Sequence, residues 1–486
     1  MNPLKKLFKQ TAIYGLATVL PRMLSFLLVP IYTSIMKPEI YGDITLIFSW
    51  FAILNVFLAY GMETAFFRFY KESENKERVI ATSLLSIAIS TGVFVCFGAF
   101  FKESLAHVFN INVSYMYYVL GILAMDALVI VPFALLRANG RPMRYAVIKI
   151  LNVVINLGLN IFFLIVLPKL VVKNAGDMLF SNLYVANFEV PYILISNIIA
   201  SGVTLLLMVG IYKRKSYQFD MVLWRKMIKY AMPVMIAGIA FTVNEVFDRY
   251  LLSELLPADI AKSEMGKYSA CYKLALFMTL FATAFRMGIE PFFFSHSETE
   301  HPQKAYAQIT NYFVVLGSII LLTVVVYADI LKQFIVLNTT YWDAMPAVPI
   351  ILLASFFLGI YHNLSVWYKI TDHTKFGAYI SMVGALLTIL INFAFIQYFS
   401  YMASAVATLV AYGAMMLLSL YFGRIYYPIP YNFRKIGFYL GISILFSVVS
   451  FYIFDRNLWI GSSLLLIFLG VVYKLEVANL KRVFLK

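Results

Sequence analysis

Residues 114–136 read SYMYYVLGILAMDALVIVPFALL, with Asp126 as the one charged side chain before a basic loop begins at Arg137. A helix of about 20 apolar residues is long enough to cross the roughly 30 Å hydrocarbon core of a bilayer. Similar runs recur along the whole chain, and they predict an all-α polytopic membrane protein with about 14 transmembrane helices. The predicted helices cover residues 11–36, 42–67, 80–100, 114–136, 144–167, 190–212, 227–254, 266–294, 306–328, 346–368, 376–398, 402–424, 433–454 and 457–474.

The composition excludes a soluble protein. Of the 486 residues, 62% are hydrophobic and 13% are charged, and the mean hydropathy is +0.83. A soluble core cannot bury this much apolar surface, so lipid must solvate much of it. The two cysteines, Cys96 and Cys271, give neither a disulfide framework nor a metal-binding spacing, so no resident cofactor is expected.

The basic residues indicate an orientation in the membrane. The net charge of +15 would suggest a nucleic-acid partner in a soluble protein, but here the basic residues cluster in short loops. Of the 39 Lys and Arg residues, 26 fall in the N-terminus, the C-terminal tail and alternate loops, against eight in the opposite loops. This is the positive-inside pattern, and it predicts that both termini are cytoplasmic and that no nucleic acid is bound.

The two halves of the chain resemble each other. Three pairs match in collinear order, namely GMETAFF at 61–67 with GIEPFFF at 288–294, Arg137 with Lys369, and NIFF at 160–163 with NFAF at 392–395. A repeat of six helices returns the chain to the same side of the membrane, so the two repeats are predicted to be parallel. The predicted organisation is a six-helix bundle at 1–214, a second at 215–425 and two additional helices at 426–486.

Several motifs resemble those of a known transporter family. They are RMLSFLLVP at 22–30, PEIYG at 38–42, KYAMP at 229–233, DRYLL at 248–252, GKYSA at 266–270 and ASAVAT at 403–408. In order and spacing the chain resembles the Wzx-type polysaccharide flippases of the multidrug/oligosaccharidyl-lipid/polysaccharide exporter superfamily. The resemblance extends over essentially the whole chain.

The resemblance implies a function in the synthesis of cell-surface polysaccharide, such as the O-antigen of lipopolysaccharide. It implies that the protein flips a polyprenyl-diphosphate-linked oligosaccharide across the bacterial inner membrane, by alternating access around a cationic central cavity. The implied partners are this lipid-linked substrate, membrane lipids and other polysaccharide-assembly proteins.

Three cations in the predicted helices are candidates for binding the substrate, namely Arg22, Lys273 and Arg286. An ionisable residue at the bilayer centre costs roughly 2.5–3.5 kcal/mol on insertion scales, so each one needs a reason to be there. A diphosphate group requires cations, and the helices that carry these three line the central cavity in the fold that the resemblance implies. The alternatives are a structural ion pair, or a long side chain reaching the membrane surface.

Asn244, Glu245 and Asp248 form an oxygen-rich group on the seventh predicted helix. Positions 244 and 248 share a face because they are four residues apart, and 245 and 248 are three apart. Such a group is a candidate for coupling transport to Na⁺ or H⁺. Its alternatives are a local pair with Arg249 or simple proximity to the outer surface.

The remaining intramembrane charges are candidates for gates or salt bridges. Glu63 and Glu290 are matched between the repeats and lie near Arg68 and Arg286, respectively. This placement favours interhelical salt bridges over substrate contact. The full set of candidates is Glu63, Arg68, Asp126, Arg249 and Glu290.

Two rival functions remain open at this point. A drug/cation antiporter of the same superfamily would favour an acidic cavity over one holding Arg22, Lys273 and Arg286. A membrane-embedded polysaccharide polymerase or acyltransferase would usually need a larger extramembrane loop or an intramembrane catalytic histidine. The five histidines are scattered, and no nucleophile elbow or phosphate-binding glycine loop occurs, so the sequence favours a transporter that is not an enzyme.

Overall fold

The computed structural model describes residues 19–20, 23–24, 26–173, 182–213, 217–295, 302–371 and 373–484. Within these ranges, 13 helices are long and apolar enough to cross a membrane. We number them α2 to α14, because α1 (Leu28–Ile35) is the described end of the first predicted helix. They are α2 Pro38–Glu72, α3 Lys76–Phe100, α4 Val113–Ala138, α5 Pro142–Lys173, α6 Glu189–Tyr212, α7 Met221–Leu255, α8 Ala258–Met287, α9 Pro302–Val326, α10 Thr339–Ile370, α11 Lys375–Phe399, α12 Tyr401–Tyr426, α13 Phe433–Ile453 and α14 Leu458–Glu476.

Each of these 13 helices corresponds to one predicted from the sequence, so the polytopic all-α class is confirmed. Of the first predicted helix, residues 11–36, positions 11–18, 21, 22 and 25 lie outside the described residues. The helices begin where the chain supplies start signals. Helices α2, α5 and α9 each begin at a proline, whose missing N–H costs nothing in the first turn. Asp220 caps α7 by accepting a hydrogen bond from the backbone N–H of Leu223, at 2.9 Å, and this bond lowers the pKa of the Asp220 carboxyl.

Several helices are locally irregular. Helix α2 breaks at Tyr60 and Gly61, which both have positive φ angles of 30° and 70°, and then continues to Glu72. The sequence predicted that this helix ends at residue 67, and the structure shows a break followed by a further helical segment. Helix α8 contains a 3₁₀ turn at Lys273–Ala275. A 3₁₀ turn inside a helix often marks a hinge, so Lys273 occupies a position where α8 can bend.

The chain forms two compact units, Met1–Gly266 and Lys267–Lys486. In the first unit, α7 packs along α2, and α6 packs against α4 and α5. In the second unit, α10 is enclosed by its neighbours, and Ile351, Leu352 and Phe356 on it are fully buried. These units describe how the chain packs, and the predicted repeat boundary between residues 214 and 215 stays a prediction.

The matched asparagines of the predicted repeat are both hydrogen-bonded through their side-chain amides. The side-chain amide of Asn160 in α5 donates to the Asn156 carbonyl at 2.8 Å and accepts from the Tyr32 hydroxyl at 2.9 Å. Asn392 in α11 donates to the carbonyl of Thr388 at 2.7 Å and accepts from the Ser404 hydroxyl at 2.7 Å. Both asparagines are fully buried. A buried amide must be satisfied by such bonds, and the internal repeat stays a prediction.

The predicted orientation can be tested by labelling. We expect single cysteines at Asn139 and Lys375 to react with a membrane-impermeant maleimide only from the cytoplasmic side. Cysteines at Lys173 and Lys262 should react only from outside, because the basic loops stay in the cytoplasm. The two native cysteines are replaced first, since Cys96 is exposed. Reaction from the wrong side at two of the four positions contradicts the topology.

Candidate functional site

Two of the family motifs, PEIYG at 38–42 and GKYSA at 266–270, are in contact through their glycines. A Cβ atom on Gly42 of α2 would overlap the carbonyl oxygen of Lys262 in α8. A Cβ atom on Gly266 would overlap the carbonyl oxygen of Pro38. The two helix backbones therefore touch at positions where only glycine fits. We call Pro38, Gly42, Asp43, Lys262 and Gly266 the α2–α8 contact.

An ion pair and an aromatic cluster accompany the α2–α8 contact. The Lys262 ammonium lies 2.7 Å from a carboxylate oxygen of Asp43. Farther along α2, the Trp50 ring lies 4.4 Å from the Phe109 ring and 5.1 Å from the Tyr250 ring, between centroids. The Trp50 indole N–H also donates to the Phe109 carbonyl at 3.0 Å. These groups lie at the end of the first unit that the positive-inside pattern predicts to face outside.

The opposite end of α2 also contacts α7 closely. A Cβ atom on Gly61 would overlap the carbonyl oxygen of Ala231, and the positive φ of Gly61 also favours glycine. The Arg68 guanidinium lies 4.6 Å from the centre of the Tyr230 ring and forms an ion pair with Glu72 at 3.1 Å. Arg68 is therefore held at the α2–α7 boundary by the next helical turn and by an aromatic ring.

The candidate gate residue Glu63 is paired within the first unit. Its carboxylate accepts from the Arg137 guanidinium at 2.6 Å, and both side chains are about 40% exposed, with 43% for Glu63 and 42% for Arg137. This pair links the ends of α2 and α4. Arg137 is the residue that the repeat matches with Lys369, and Glu63 is matched with Glu290. The side chain of Glu290 lies outside the described part of the structure.

The candidate coupling group on α7 contains a tight local ion pair. The Arg249 guanidinium donates to a carboxylate oxygen of Asp248 at 2.8 Å, and the backbone N–H of Arg249 donates to the same oxygen at 2.9 Å. Both side chains are buried. Asn244 is also buried, whereas Glu245 is exposed and contributes its backbone carbonyl to Arg249. Of the three candidates, Asn244 and Asp248 therefore share the buried face of α7.

Asp126 lies in a polar region among α4, α5 and α6. Its carboxylate accepts from the Ser201 hydroxyl at 2.7 Å. The ammonium of Lys149 in α5 lies 4.3 Å from the centre of the Phe133 ring. Among the described residues, Lys149 forms no ion pair with Asp126. The region therefore holds an acid and a base that interact electrostatically without a direct ion pair, and each also contacts a neutral partner.

The three predicted substrate-binding cations have different outcomes. Arg22 lies outside the described residues. Lys273 is partly buried at the 3₁₀ turn of α8. Arg286, one residue before the end of α8, has its NH1 atom 3.5 Å from Nε2 of His362 in α10. In the ranges that the structure describes, no group of three or more His, Cys, Asp or Glu side chains could hold a metal ion.

Sequence reasoning missed the α2–α8 contact and the proximity of His362 to Arg286. Both motifs of the contact were recognised, but their proximity was not. The available signal was the glycines themselves, because small residues between bulky ones allow helix backbones to approach closely in a membrane. His362 gave a weaker signal, since a single histidine in an apolar helix often has only a structural role.

Comparisons with known proteins agree with this architecture. The sequence profile of the polysaccharide biosynthesis protein family matches residues 7–295, and that of the MatE family matches residues 233–394. No curated protein sequence matches the chain. Solved structures with the same fold include one described as the lipid II flippase MurJ in an inward closed conformation. It has a TM-score of 0.73 at 14% identity, and the match covers 96% of this chain and 100% of that one.

Two multidrug-type structures also match. An inward-facing multidrug resistance MATE family transporter has a TM-score of 0.64 at 11% identity, with 89% of this chain and 96% of that chain covered. A transporter from Pyrococcus furiosus, described as having a binding pocket of reverse polarity, has a TM-score of 0.61 at 14% identity. That match covers 87% of this chain and 98% of the other.

The helix order and these matches define a class of protein: a multi-pass helical membrane protein with the fold of the multidrug/oligosaccharidyl-lipid/polysaccharide exporter superfamily. Within that class, the chain belongs to the polysaccharide biosynthesis protein family, whose profile covers more than half of its length.

Proposed function

We propose that this protein flips a polyprenyl-diphosphate-linked oligosaccharide from the cytoplasmic to the outer leaflet of the bacterial inner membrane, for cell-surface polysaccharide synthesis. It does so by alternating access around a cationic cavity and makes or breaks no covalent bond. Membership of the polysaccharide biosynthesis protein family supports the pathway. The single observation that carries the substrate class is Arg286, a guanidinium in a membrane-spanning helix that contacts no carboxylate among the described side chains.

A cation in this setting is suited to an anionic ligand. The guanidinium has five N–H donors and binds phosphate oxygens in pairs. A diphosphate is the anionic group of the proposed substrate, and moving it into a low-dielectric region has a large desolvation cost. Lys273 and Arg22 are proposed to hold the same group, Lys273 from the 3₁₀ turn of α8. Movement at that turn would carry the bound headgroup between the two leaflets.

The energy source is proposed to be a gradient of Na⁺ or H⁺ acting on the first unit. Asn244 and Asp248 share the buried face of α7, and Asp248 is neutralised by Arg249. An entering cation would compete with Arg249 for the carboxylate, and this competition would change the packing of α7 against α2. Other polysaccharide-assembly proteins are proposed partners that deliver or consume the lipid-linked oligosaccharide.

A drug/cation antiporter is the second candidate, because multidrug MATE transporters share the fold. The described cations Arg286 and Lys149 oppose it, since they lack acidic partners within hydrogen-bonding distance in the described part of the chain. A polymerase or acyltransferase has less support, because the matching solved structures are described as a flippase and as multidrug transporters.

Reconstituted transport distinguishes the candidates. Purified protein in proteoliposomes is given undecaprenyl-diphosphate-linked oligosaccharide that carries a fluorescent sugar, and dithionite quenches the label in the accessible leaflet. A flippase makes the protected lipid accessible, whereas the same vesicles should not accumulate a cationic dye such as ethidium. Dye accumulation without lipid flipping would support the antiporter, and a chemically altered lipid would indicate an enzyme.

The α2–α8 contact gives a prediction about the equilibrium between a closed state, in which α2 and α8 touch, and an open state, in which they separate. We expect Gly266→Ala to separate the two helices, because the new Cβ overlaps the carbonyl of Pro38 and no flexible side chain can move aside. Overpacking of this kind costs about 1–3 kcal/mol, a shift of about 5- to 150-fold in the closing equilibrium. Carbodiimide coupling of Asp43 to Lys262, which are in contact at 2.7 Å, measures the closed population. Gly92→Ala is the control, because a Cβ there meets open space. Undiminished coupling in Gly266→Ala would contradict the assignment.

A further inference from the structure

Three cations share one exposed face at the start of α7, the end that the positive-inside pattern predicts to be cytoplasmic. Arg225 lies four residues before Lys229, and Lys226 lies three before it, so the three side chains are neighbours on the helix surface. All three are exposed. The preceding acid in the sequence, Asp220, caps α7 and forms an ion pair with Arg78 at 3.4 Å, and the next acid is Glu245. We call Arg225, Lys226 and Lys229 the cationic face of α7.

The opposite face of α7 is fixed against the first unit. Met227 and Ala231 are fully buried, and the Ala231 carbonyl lies against Gly61 of α2. The Trp224 indole N–H donates to the Ser86 hydroxyl oxygen in α3 at 2.8 Å. Together these contacts set the rotation of α7 about its axis, so the cationic face points away from the helices that α7 packs on.

The length of α7 places the cationic face at the membrane surface. The helix has 35 residues and is about 52 Å long, whereas the hydrocarbon core is roughly 30 Å thick. Charged side chains at a helix end lie in the headgroup layer, where water and lipid phosphates solvate them. On the same face, three and seven residues after Lys229, Met232 is 40% exposed and Ile236 is 48% exposed. The face therefore changes from cationic to apolar over two helical turns.

We propose that the cationic face of α7 binds the headgroup of an anionic phospholipid of the cytoplasmic leaflet, with Met232 and Ile236 against its acyl chains. Guanidinium and ammonium groups donate to the phosphodiester oxygens, and the apolar residues match the chains below the headgroup. The order of charge and apolar surface along the helix is the order found in the lipid itself. This lipid is a constituent of the bilayer and not the transported molecule, so the inference does not depend on the proposed function.

Native mass spectrometry of the purified full-length protein in detergent tests this. The probes are phosphatidylglycerol and phosphatidylcholine, and the readout is the dissociation constant of the first bound lipid. We expect the wild type to prefer phosphatidylglycerol. The triple variant Arg225→Gln/Lys226→Gln/Lys229→Gln should bind it about 100-fold more weakly, since each charge removed costs about 5-fold. Lys226→Gln alone should cost about 5-fold, and it provides a test if the triple variant does not fold.

A second triple variant is the matched control. Lys71→Gln/Lys76→Gln/Arg141→Gln removes the same charge from exposed positions on the same predicted side of the first unit, and it should bind phosphatidylglycerol as the wild type does. Equal weakening in both triple variants would overturn the inference, as would equal affinity of the wild type for the two lipids.

Competition identifies the source of the bound phosphate. Inorganic phosphate should not displace phosphatidylglycerol, because it lacks the acyl chains that contact Met232 and Ile236. Undecaprenyl diphosphate, added at equimolar concentration, should leave the bound phosphatidylglycerol in place. Displacement by undecaprenyl diphosphate would assign the face to the transported molecule, and displacement by inorganic phosphate would show a simple anion site. Either displacement would overturn the inference.

Discussion

Asp248→Asn destabilises the protein by about 3–5 kcal/mol, because it leaves Arg249 as a buried cation without its counter-charge. Asp248 is 2% exposed and Arg249 is 7% exposed, so water cannot replace the carboxylate. The Arg249 guanidinium and its backbone N–H both donate to that carboxylate, at 2.8 and 2.9 Å. The expected result is a large loss of folded protein, measured as the monodisperse fraction after solubilisation and as the midpoint of thermal unfolding.

A double substitution tests whether the effect comes from the unpaired charge. In Asp248→Asn with Arg249→Gln, two neutral amides replace the pair, and we expect most of the stability to return. Glu245→Gln is the matched control, because Glu245 is exposed and only its backbone contacts Arg249. A loss of stability in the control as large as in Asp248→Asn would contradict this account, as would a normally stable Asp248→Asn protein.

The same double variant also tests ion coupling. If Asp248 binds the coupling cation, the folded double variant flips lipid at a rate that no longer depends on a Na⁺ or pH gradient. If the pair is only structural, the gradient dependence is unchanged. The folded double variant thus separates the two roles that the sequence left open for this group.

The helices could be predicted from sequence because lipid imposes a strict rule on length and composition. The apolar run at 114–136 became α4, Val113–Ala138, since every backbone polar group in the bilayer must be bonded within the helix. Within helices the rule is weaker. Tyr60 and Gly61 break α2 inside an otherwise continuous run, and the hydrophobic pattern does not show which residues adopt positive φ.

Side-chain partners were harder to predict than helices. Glu63 lies near Arg68 in sequence, yet five residues along a helix is about 140° around its axis, and the two side chains diverge. Arg68 instead forms an ion pair with Glu72, four residues later, and Glu63 forms one with Arg137 on another helix. The partner surface in the α2–α8 contact was equally hard to predict. The glycines marked a close approach, but the surface that approaches is decided by the packing of the whole unit.

Alanine at Arg22 or at Lys273 lowers lipid flipping about 10- to 100-fold, because each loses a charge-assisted contact to the diphosphate worth about 1.5–3 kcal/mol. Both cations lie in apolar stretches of the sequence, and the proposed substrate carries an anionic group that they would bind. Lys273 lies at the 3₁₀ turn of α8, where a change of bend would move its ammonium together with the bound headgroup. The measurement is the dithionite assay on reconstituted vesicles, normalised to the amount of folded protein.

Conservative and control variants define the role of these charges. Arg22→Lys keeps the charge but loses the two-bond geometry, so we expect partial flipping. Lys102→Ala, in an exposed position against Tyr117, should flip at the wild-type rate. If Arg22 is instead paired with an acid such as Asp126, alanine will lower protein abundance, and a second substitution at the acid will restore it. A normally abundant Arg22→Ala protein with full flipping activity would refute the substrate role, because the diphosphate would then cross the membrane at the wild-type rate without this cation.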